Sequence, residues 1–122
     1  MSLQVVKVCG IAQPADAIAA AEGGATAIGM VFHAASPRAV KPHEAALISA
    51  VVPAGVLRVG VFVNEDPERI RMIAEAVRLD VIQLHGDEGP EQVAALSGLR
   101  VWRAFRVGPE FRPAVLGELD CE

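Results

Sequence analysis

Two side chains near the start of the chain, Lys7 and Cys9, are reactive types that lie two residues apart. They lie in a β-branched run, residues 5–11, that predicts a buried strand, and side chains two residues apart point to the same side of a sheet. Gly10 breaks this strand before a helical pattern begins, so Cys9 is expected at the C-terminal end of the strand. Parallel α/β folds place their chemistry at that edge. The simpler interpretation is that Cys9 is a small buried core residue, as free cysteines often are.

Three further polar side chains follow predicted strands at the same edge. Arg38 lies in the polar loop 33–41, and Gln83 and His85 alternate onto one face at the end of the fourth predicted strand. Gln83 and His85 are therefore expected to face a common pocket. For Arg38 the alternative is a loop arginine in solvent, and for His85 it is a hydrogen-bonded histidine without a catalytic step.

The acidic residues that follow His85 raise the question of a metal ion. A lone histidine with the loop acids Asp87 and Glu88 is a poor ligand set, so the sequence predicts no metal site.

The other two histidines, His33 and His43, are assigned to a loop and to a helix surface. Trp102 is expected in the core rather than against a substrate.

The elements that must position these side chains alternate between strand and helix. Apolar β-branched runs predict strands, whereas proline starts and glycine or polar ends predict helices. The pattern repeats five times without a linker, so residues 1–122 are interpreted as a single domain. The predicted strands are 5–11, 27–32, 57–63, 80–85 and 101–107, and the predicted helices are 14–24, 42–52, about 67–78, 90–96 and 113–119.

Composition and charge narrow the kind of partner. The chain has 52% hydrophobic residues and a net charge of -4, and no run of basic residues gathers in one place. These values argue against nucleic acid or an anionic membrane and favour a small-molecule partner. The two cysteines lie at opposite ends, which gives no disulfide framework and fits a reducing cytoplasm. No apolar run approaches the roughly 18 residues of a membrane span.

Strands separated by single helices predict right-handed crossovers and a parallel sheet. Two architectures satisfy this pattern. Five units in 122 residues suit an open flavodoxin-like sheet, because a closed (β/α)8 barrel normally takes about 200 residues or more. Against the open sheet, the first strand ends in Cys9 and Gly10 rather than in an acidic cluster or a phosphate loop.

Four motifs at the strand ends, taken together, resemble the fingerprint of the phosphoribosylanthranilate isomerases of tryptophan biosynthesis. They are residues 7–10 (KVCG), 36–38 (SPR), 59–64 (VGVFVN) and 83–87 (QLHGD). Each motif is weak alone, but four in order over most of the chain make a specific match. The resemblance implies a TIM (β/α)8 barrel, here a partial one that covers five of its eight β-α units.

The resemblance also implies a reaction and roles for the candidate residues. The family carries out an Amadori rearrangement of N-(5-phosphoribosyl)anthranilate without a cofactor, and Cys9 matches its general base. Arg38 matches the arginine that holds the anthranilate carboxylate, and Gln83 and His85 line the substrate site. A free thiol is mostly protonated at neutral pH, and Lys7 on the same face is the candidate that assists it or binds substrate.

Parts of the family pattern have no match in these 122 residues. The family's general acid is an aspartate after strand six, and its phosphate site lies after strands seven and eight; Asp120 matches neither. We therefore expect this chain alone to be inactive, with its open sheet edges paired by self-association or by a C-terminal barrel segment. The alternative is a non-catalytic flavodoxin-like or half-barrel domain that acts by self-association.

Overall fold

The computed structural model describes residues 6–86 and 88–103, in which five strands alternate with four helices. All elements follow the β-α order that the hydrophobic pattern predicts, and they differ from the predicted bounds mainly at their ends. In chain order they are β1 (Lys7–Cys9), α1 (Pro14–Glu22), β2 (Ala27–Val31), α2 (Pro42–Val51), β3 (Leu57–Phe62), α3 (Pro67–Val77), β4 (Val81–Leu84), α4 (Pro90–Ala94) and β5 (Val101–Arg103).

Two sequence predictions fall partly or wholly outside these residues. The fifth strand was expected over 101–107, and the described part of it ends at Arg103. The helix predicted over 113–119 lies outside the described residues, as does Asp87. The single domain over 1–122 therefore stays a prediction. In the described part of the chain, no helix is long and apolar enough to cross a membrane.

Each of the four helices begins with proline, at positions 14, 42, 67 and 90. The first N–H of a helix has no partner within the helix, so proline loses nothing there, and its fixed φ suits the first turn. The start of α3 is also capped, because the Asp66 carboxylate accepts the N–H of Glu68 at 3.0 Å. Local sequence thus sets where each crossover helix starts, and with it the length of the loop that precedes it.

The five strands form one parallel sheet in the order β1-β2-β3-β4-β5. A flavodoxin-like sheet has the order 2-1-3-4-5, whereas neighbours in a barrel follow the chain. The sequential order therefore excludes the flavodoxin-like alternative and agrees with a partial (β/α)8 barrel. In the described ranges, no strand pairs with the outer edge of β1 or of β5.

One expectation for β1 was wrong. The sequence predicted a buried strand, but Val6 and Val8 are 47% and 37% exposed, and Cys9 is exposed as well. The reason is topological, because β1 pairs only with β2 among the described residues and so has one open side. The exposure of Cys9 contradicts its interpretation as a buried core residue.

The two faces of the sheet carry different side chains. The outer face packs against the helices in the main core, which includes Ile28, Met30, Phe62, Ile82 and Leu84 from the strands and Ala17, Ala45, Ile48, Ile70 and Ile73 from the helices. The inner face carries a smaller cluster of Ala27, Val59, Val81 and Trp102. The prediction that Trp102 is a core residue is confirmed, and the core it belongs to is the interior of the barrel.

Two arginines bind the C-terminal ends of neighbouring helices, Arg58 from the start of β3 and Arg71 from within α3. Arg58 donates to the carbonyl oxygens of Ser49 and Val52 at the end of α2, and its backbone N–H donates to the carboxylate of Asp80. Arg71 donates in the same way to carbonyl oxygens that follow α4. These guanidinium groups satisfy carbonyls that a helix leaves without partners at its C-terminus.

Packing of α2 against the sheet gives a test of the outer core. Ile48 is fully buried and its neighbour Leu47 is 62% exposed. Ile48→Ala should lower the free energy of unfolding by about 2 to 5 kcal/mol, because it leaves a cavity. Leu47→Ala on the same helix should change it by less than about 0.5 kcal/mol. Urea unfolding measures both, and equal losses would contradict this packing of α2.

Candidate active site

The predicted site residues meet at the C-terminal edge of the sheet. Cys9 is the last residue of β1, Arg38 lies in the loop after β2, and Gln83 and His85 lie at and just after the end of β4. Because all strands are parallel, these ends open on the same side of the fold. The structure therefore places each of these side chains at the edge where the sequence predicted it, while their roles stay predictions.

Cys9 occupies a space that the neighbouring strand leaves free. Its partner on β2 is Gly29, and a Cβ atom on Gly29 would lie 3.0 Å from the Cys9 sulfur and 3.2 Å from its Cα. The Gly29 carbonyl oxygen accepts the N–H groups of Gly10 at 3.1 Å and Ile11 at 3.0 Å, which fixes the chain directly after Cys9. Glycine at position 29 thus lets the thiol sit against β2 at the mouth of the site.

Arg38 lies across the residue that follows Cys9. Gly10 has φ of +81°, and a Cβ atom there would lie 2.6 Å from Cδ and 3.3 Å from Nη1 of Arg38. Hydrogen bonds hold the Arg38 loop, among them those from Arg38 N–H to the Ser36 hydroxyl at 3.2 Å and from Val40 N–H to the Val31 carbonyl at 2.8 Å. The structure therefore brings the exposed Arg38 side chain over Gly10, the residue that follows the exposed Cys9.

Lys7 and Gln83 meet across the inner face of the sheet. The Lys7 ammonium donates to Oε1 of Gln83, which is 1% exposed. In a flat sheet the backbones of β1 and β4 would be about 14 Å apart, with side chains roughly perpendicular to it. A direct bond requires the sheet to curve toward this face, as in a barrel. The described bond of Lys7 is to Gln83, and assistance to the Cys9 thiol stays a prediction.

His85 continues β4 at the edge of the sheet. Its backbone N–H donates to the Phe62 carbonyl at 2.9 Å, so it extends the pairing of β4 with β3, and its side chain is half-buried. Strand alternation puts His85 on the same face as Gln83. The expectation that these two side chains share a pocket agrees with this placement.

Glu88 contacts the loop that follows His85, and the sequence did not reveal this contact. It is 3% exposed, and its two carboxylate oxygens accept the backbone N–H of Gly86 at 2.8 Å and of Asn64 at 2.7 Å. The sequence interpretation treated it only as a poor metal ligand. Its partner Asn64 is 24 residues away in the sequence, so no local pattern predicts the contact. The one local indication is that Glu88 lies close to glycines, whose backbone N–H groups a carboxylate can bind.

The residues described contain no group of three or more His, Cys, Asp or Glu side chains that could hold a metal ion. The polar groups at the C-terminal edge instead comprise a thiol, a guanidinium, an imidazole, an amide and an ammonium. Such a set suits proton transfer and the binding of an anionic organic ligand.

A sequential parallel sheet that curves toward polar side chains at its C-terminal edge is the architecture of (β/α)8-barrel enzymes. Comparison with known families identifies which of them. The sequence profile of the family described as N-(5'-phosphoribosyl)anthranilate (PRA) isomerase matches residues 6–118, and the chain belongs to this family. The resemblance inferred from the four motifs is thereby confirmed.

Curated relatives agree with this assignment. The N-(5'-phosphoribosyl)anthranilate isomerase of Rubrobacter xylanophilus is 54% identical over 104 residues, which are 84% of this chain and 50% of the relative. The isomerase of Solibacter usitatus is 50% identical over 118 residues, which are 97% of this chain and 57% of the relative. The chain spans about half the length of the curated relatives it matches.

Solved structures confirm the partial barrel. A phosphoribosyl anthranilate isomerase in complex with reduced 1-(o-carboxyphenylamino)-1-deoxyribulose 5-phosphate superposes with a TM-score of 0.85 at 42% identity, over 88% of this chain and 56% of that one. The isomerase from Thermus thermophilus gives a TM-score of 0.82 at 38% identity, over 92% of this chain and 56% of that one.

The bond across the inner face gives a second test. Lys7→Met should lower the free energy of unfolding by about 1 to 3 kcal/mol, because the buried amide of Gln83 loses a charged donor. Lys41→Met, at an exposed position, should change it by less than about 0.5 kcal/mol. Fluorescence of Trp102, the one tryptophan of the chain, reports the urea transition. Equal effects of the two substitutions would contradict the contact.

Proposed function

We propose that this chain provides the N-terminal half of the active site that isomerises N-(5-phosphoribosyl)anthranilate to 1-(2-carboxyphenylamino)-1-deoxyribulose 5-phosphate. One observation carries the proposal. Cys9 stands exposed at the end of β1, with the Arg38 side chain running across the adjacent Gly10. Family membership and the names of the relatives support the same reaction.

Cys9 acts as the general base in this mechanism. A general acid first protonates the ring oxygen of the substrate, and the furanose opens to a Schiff base. The Cys9 thiolate then removes the proton from C2, and the electron pair of that C–H bond gives an enolamine, which rearranges to the ketone. By the resemblance, the general acid is an aspartate after the sixth strand of the barrel, and the phosphate loops follow strands seven and eight.

The remaining candidate residues bind substrate. The planar guanidinium of Arg38 suits a bidentate bond to the anthranilate carboxylate. Gln83, His85 and Lys7 lie on or near the inner face and would contact the sugar side of the ligand. By the resemblance the reaction needs no cofactor, because protonation of the ring oxygen drives cleavage of the C–O bond and the other steps are proton transfers.

The partners of this half-site are the substrate and further barrel strands. The outer edges of β1 and β5 are unpaired in residues 6–86 and 88–103, and a second copy or a C-terminal segment of the family would close them. We place the reaction in the cytoplasm, where reducing conditions keep the Cys9 thiol free.

A chimera tests the general base. It joins residues 1–103 of this chain to the C-terminal half of the Rubrobacter xylanophilus isomerase, so that all eight strands are present. The chimera should turn over phosphoribosylanthranilate, and Cys9→Ala should lower kcat by about 10² to 10⁴, the usual contribution of a positioned base. The fluorescence decrease of the substrate measures turnover.

Val8→Ala is the matched control, because Val8 lies on the other face of the same strand. It should leave kcat within about twofold, because its side chain points away from the chemistry and the substitution is small. Absence of turnover in the unmutated chimera would contradict the proposed function. Full turnover in Cys9→Ala would contradict only the role of Cys9 as general base.

Arg38 is tested in the same chimera. Arg38→Met should raise KM by about 10- to 100-fold, since a charged hydrogen bond to a carboxylate is worth about 1.5 to 3 kcal/mol. The free energy of unfolding should stay within about 0.5 kcal/mol, because the residue is exposed. Arg78→Met, at the exposed end of α3, is the control and should leave KM unchanged. An unchanged KM in Arg38→Met would return Arg38 to the role of a solvated loop residue.

A further inference from the structure

The segments that follow β3 and β4 pack against each other at Asn64 and Gly86. Asn64 follows β3 with φ of 49°, and Gly86 follows β4. A Cβ atom on Gly86 would lie 2.6 Å from Oδ1 and 2.9 Å from the backbone nitrogen of Asn64. The two loops are therefore in direct contact immediately beyond His85.

The carboxylate of Glu88 bridges these two loops. One oxygen accepts the N–H of Gly86 at 2.8 Å, and the other accepts the N–H of Asn64 at 2.7 Å. A buried carboxylate is costly unless its oxygens are hydrogen-bonded, and charge-assisted bonds to backbone N–H groups are among the strongest in proteins. Because Glu88 is 3% exposed, the two bonds offset the cost of burying its carboxylate, and they also join the two loops.

The backbone of Glu88 makes a third link. Its carbonyl oxygen accepts a bond from the Arg103 guanidinium at 2.8 Å, and Arg103 is the last residue of β5. One residue thus joins the C-terminal ends of three neighbouring strands. Cys9 and Arg38 lie at the other side of the sheet, on β1 and after β2, and are not part of this arrangement.

The link bears directly on the candidate site. Glu88 binds the backbone of Gly86, which directly follows His85. Gln83 lies two residues before His85, and the two side chains are on the same face of the sheet. Lys7 holds Gln83 from the side of β1, so the end of β4 is held from both directions.

We infer that Glu88 is a positioning residue of the same site, which joins the loops after β3 and β4 so that Gln83 and His85 face the ligand. The inference rests on the proposed function for the ligand, but the link itself rests on the geometry alone. Glu88 touches no reacting atom in this scheme. It acts through the two side chains whose backbone it fixes.

Amide hydrogen exchange tests the link in the 122-residue chain. Glu88→Gln replaces one acceptor oxygen by an NH2 group, so at least one of the amides of Asn64 and Gly86 should exchange about tenfold faster. Glu88→Asp keeps the charge but is shorter, and should protect Gly86 in its own loop better than Asn64. Glu91→Gln, an exposed acid in the first turn of α4, is the control and should leave both amides unchanged. Unchanged exchange at both amides in Glu88→Gln and Glu88→Asp would overturn the inference.

Kinetics of the chimera test the effect on the site. Glu88→Gln should raise KM about tenfold while kcat changes less, since a misplacement of about 1 Å can cost up to about 10²-fold. Alkylation of Cys9 by iodoacetamide should keep its rate, because Cys9 lies across the sheet. A merely structural role would lower the folded fraction and hence the apparent kcat, with KM unchanged, and that result would overturn the inference. Absence of turnover in the unmutated chimera would instead contradict the proposed function, so the two failures are distinct.

Discussion

The curvature of the parallel sheet is the constraint on which the remaining structure depends. An ammonium on β1 and an amide on β4 share a hydrogen bond, and this is geometrically impossible on a flat sheet with three strand spacings between them. Curvature also separates two environments. The convex face buries large aliphatic side chains under the helices, and the concave face keeps a thin apolar layer below a polar C-terminal edge.

Much of the fold follows from local sequence, and the reasons are visible at particular residues. Prolines mark the start of all four described helices because the first turn tolerates a missing N–H. The order of the strands, unlike the helix starts, does not follow from local sequence, and the length of the chain alone favoured an open sheet. The motifs at the strand ends pointed to the barrel, and the order of the strands decided it.

The placement of candidate residues was predictable where they lie at the end of a strand, as for Cys9 and Gln83. It was not predictable where a position depends on a distant partner. Nothing near Glu88 in the sequence specifies that its carboxylate accepts the backbone N–H of Asn64, in the loop after β3. The exposure of β1 was missed for a similar reason, since burial of a strand depends on both of its neighbours and a periodic pattern records neither.

The hydrogen bonds of Arg58 and Arg71 have a further consequence. Arg58, near the start of β3, and Arg71, in α3, donate to backbone carbonyls at and after the ends of α2 and α4. Carbonyl oxygens are present whatever side chain each residue carries, so these links impose little restriction on sequence. The links that Arg58 and Arg71 make are therefore encoded at positions other than those of the candidate ligand-binding residues. A fold arranged in this way can exchange its substrate loops during evolution, or in directed recombination of barrel segments, while the framework that carries them remains intact.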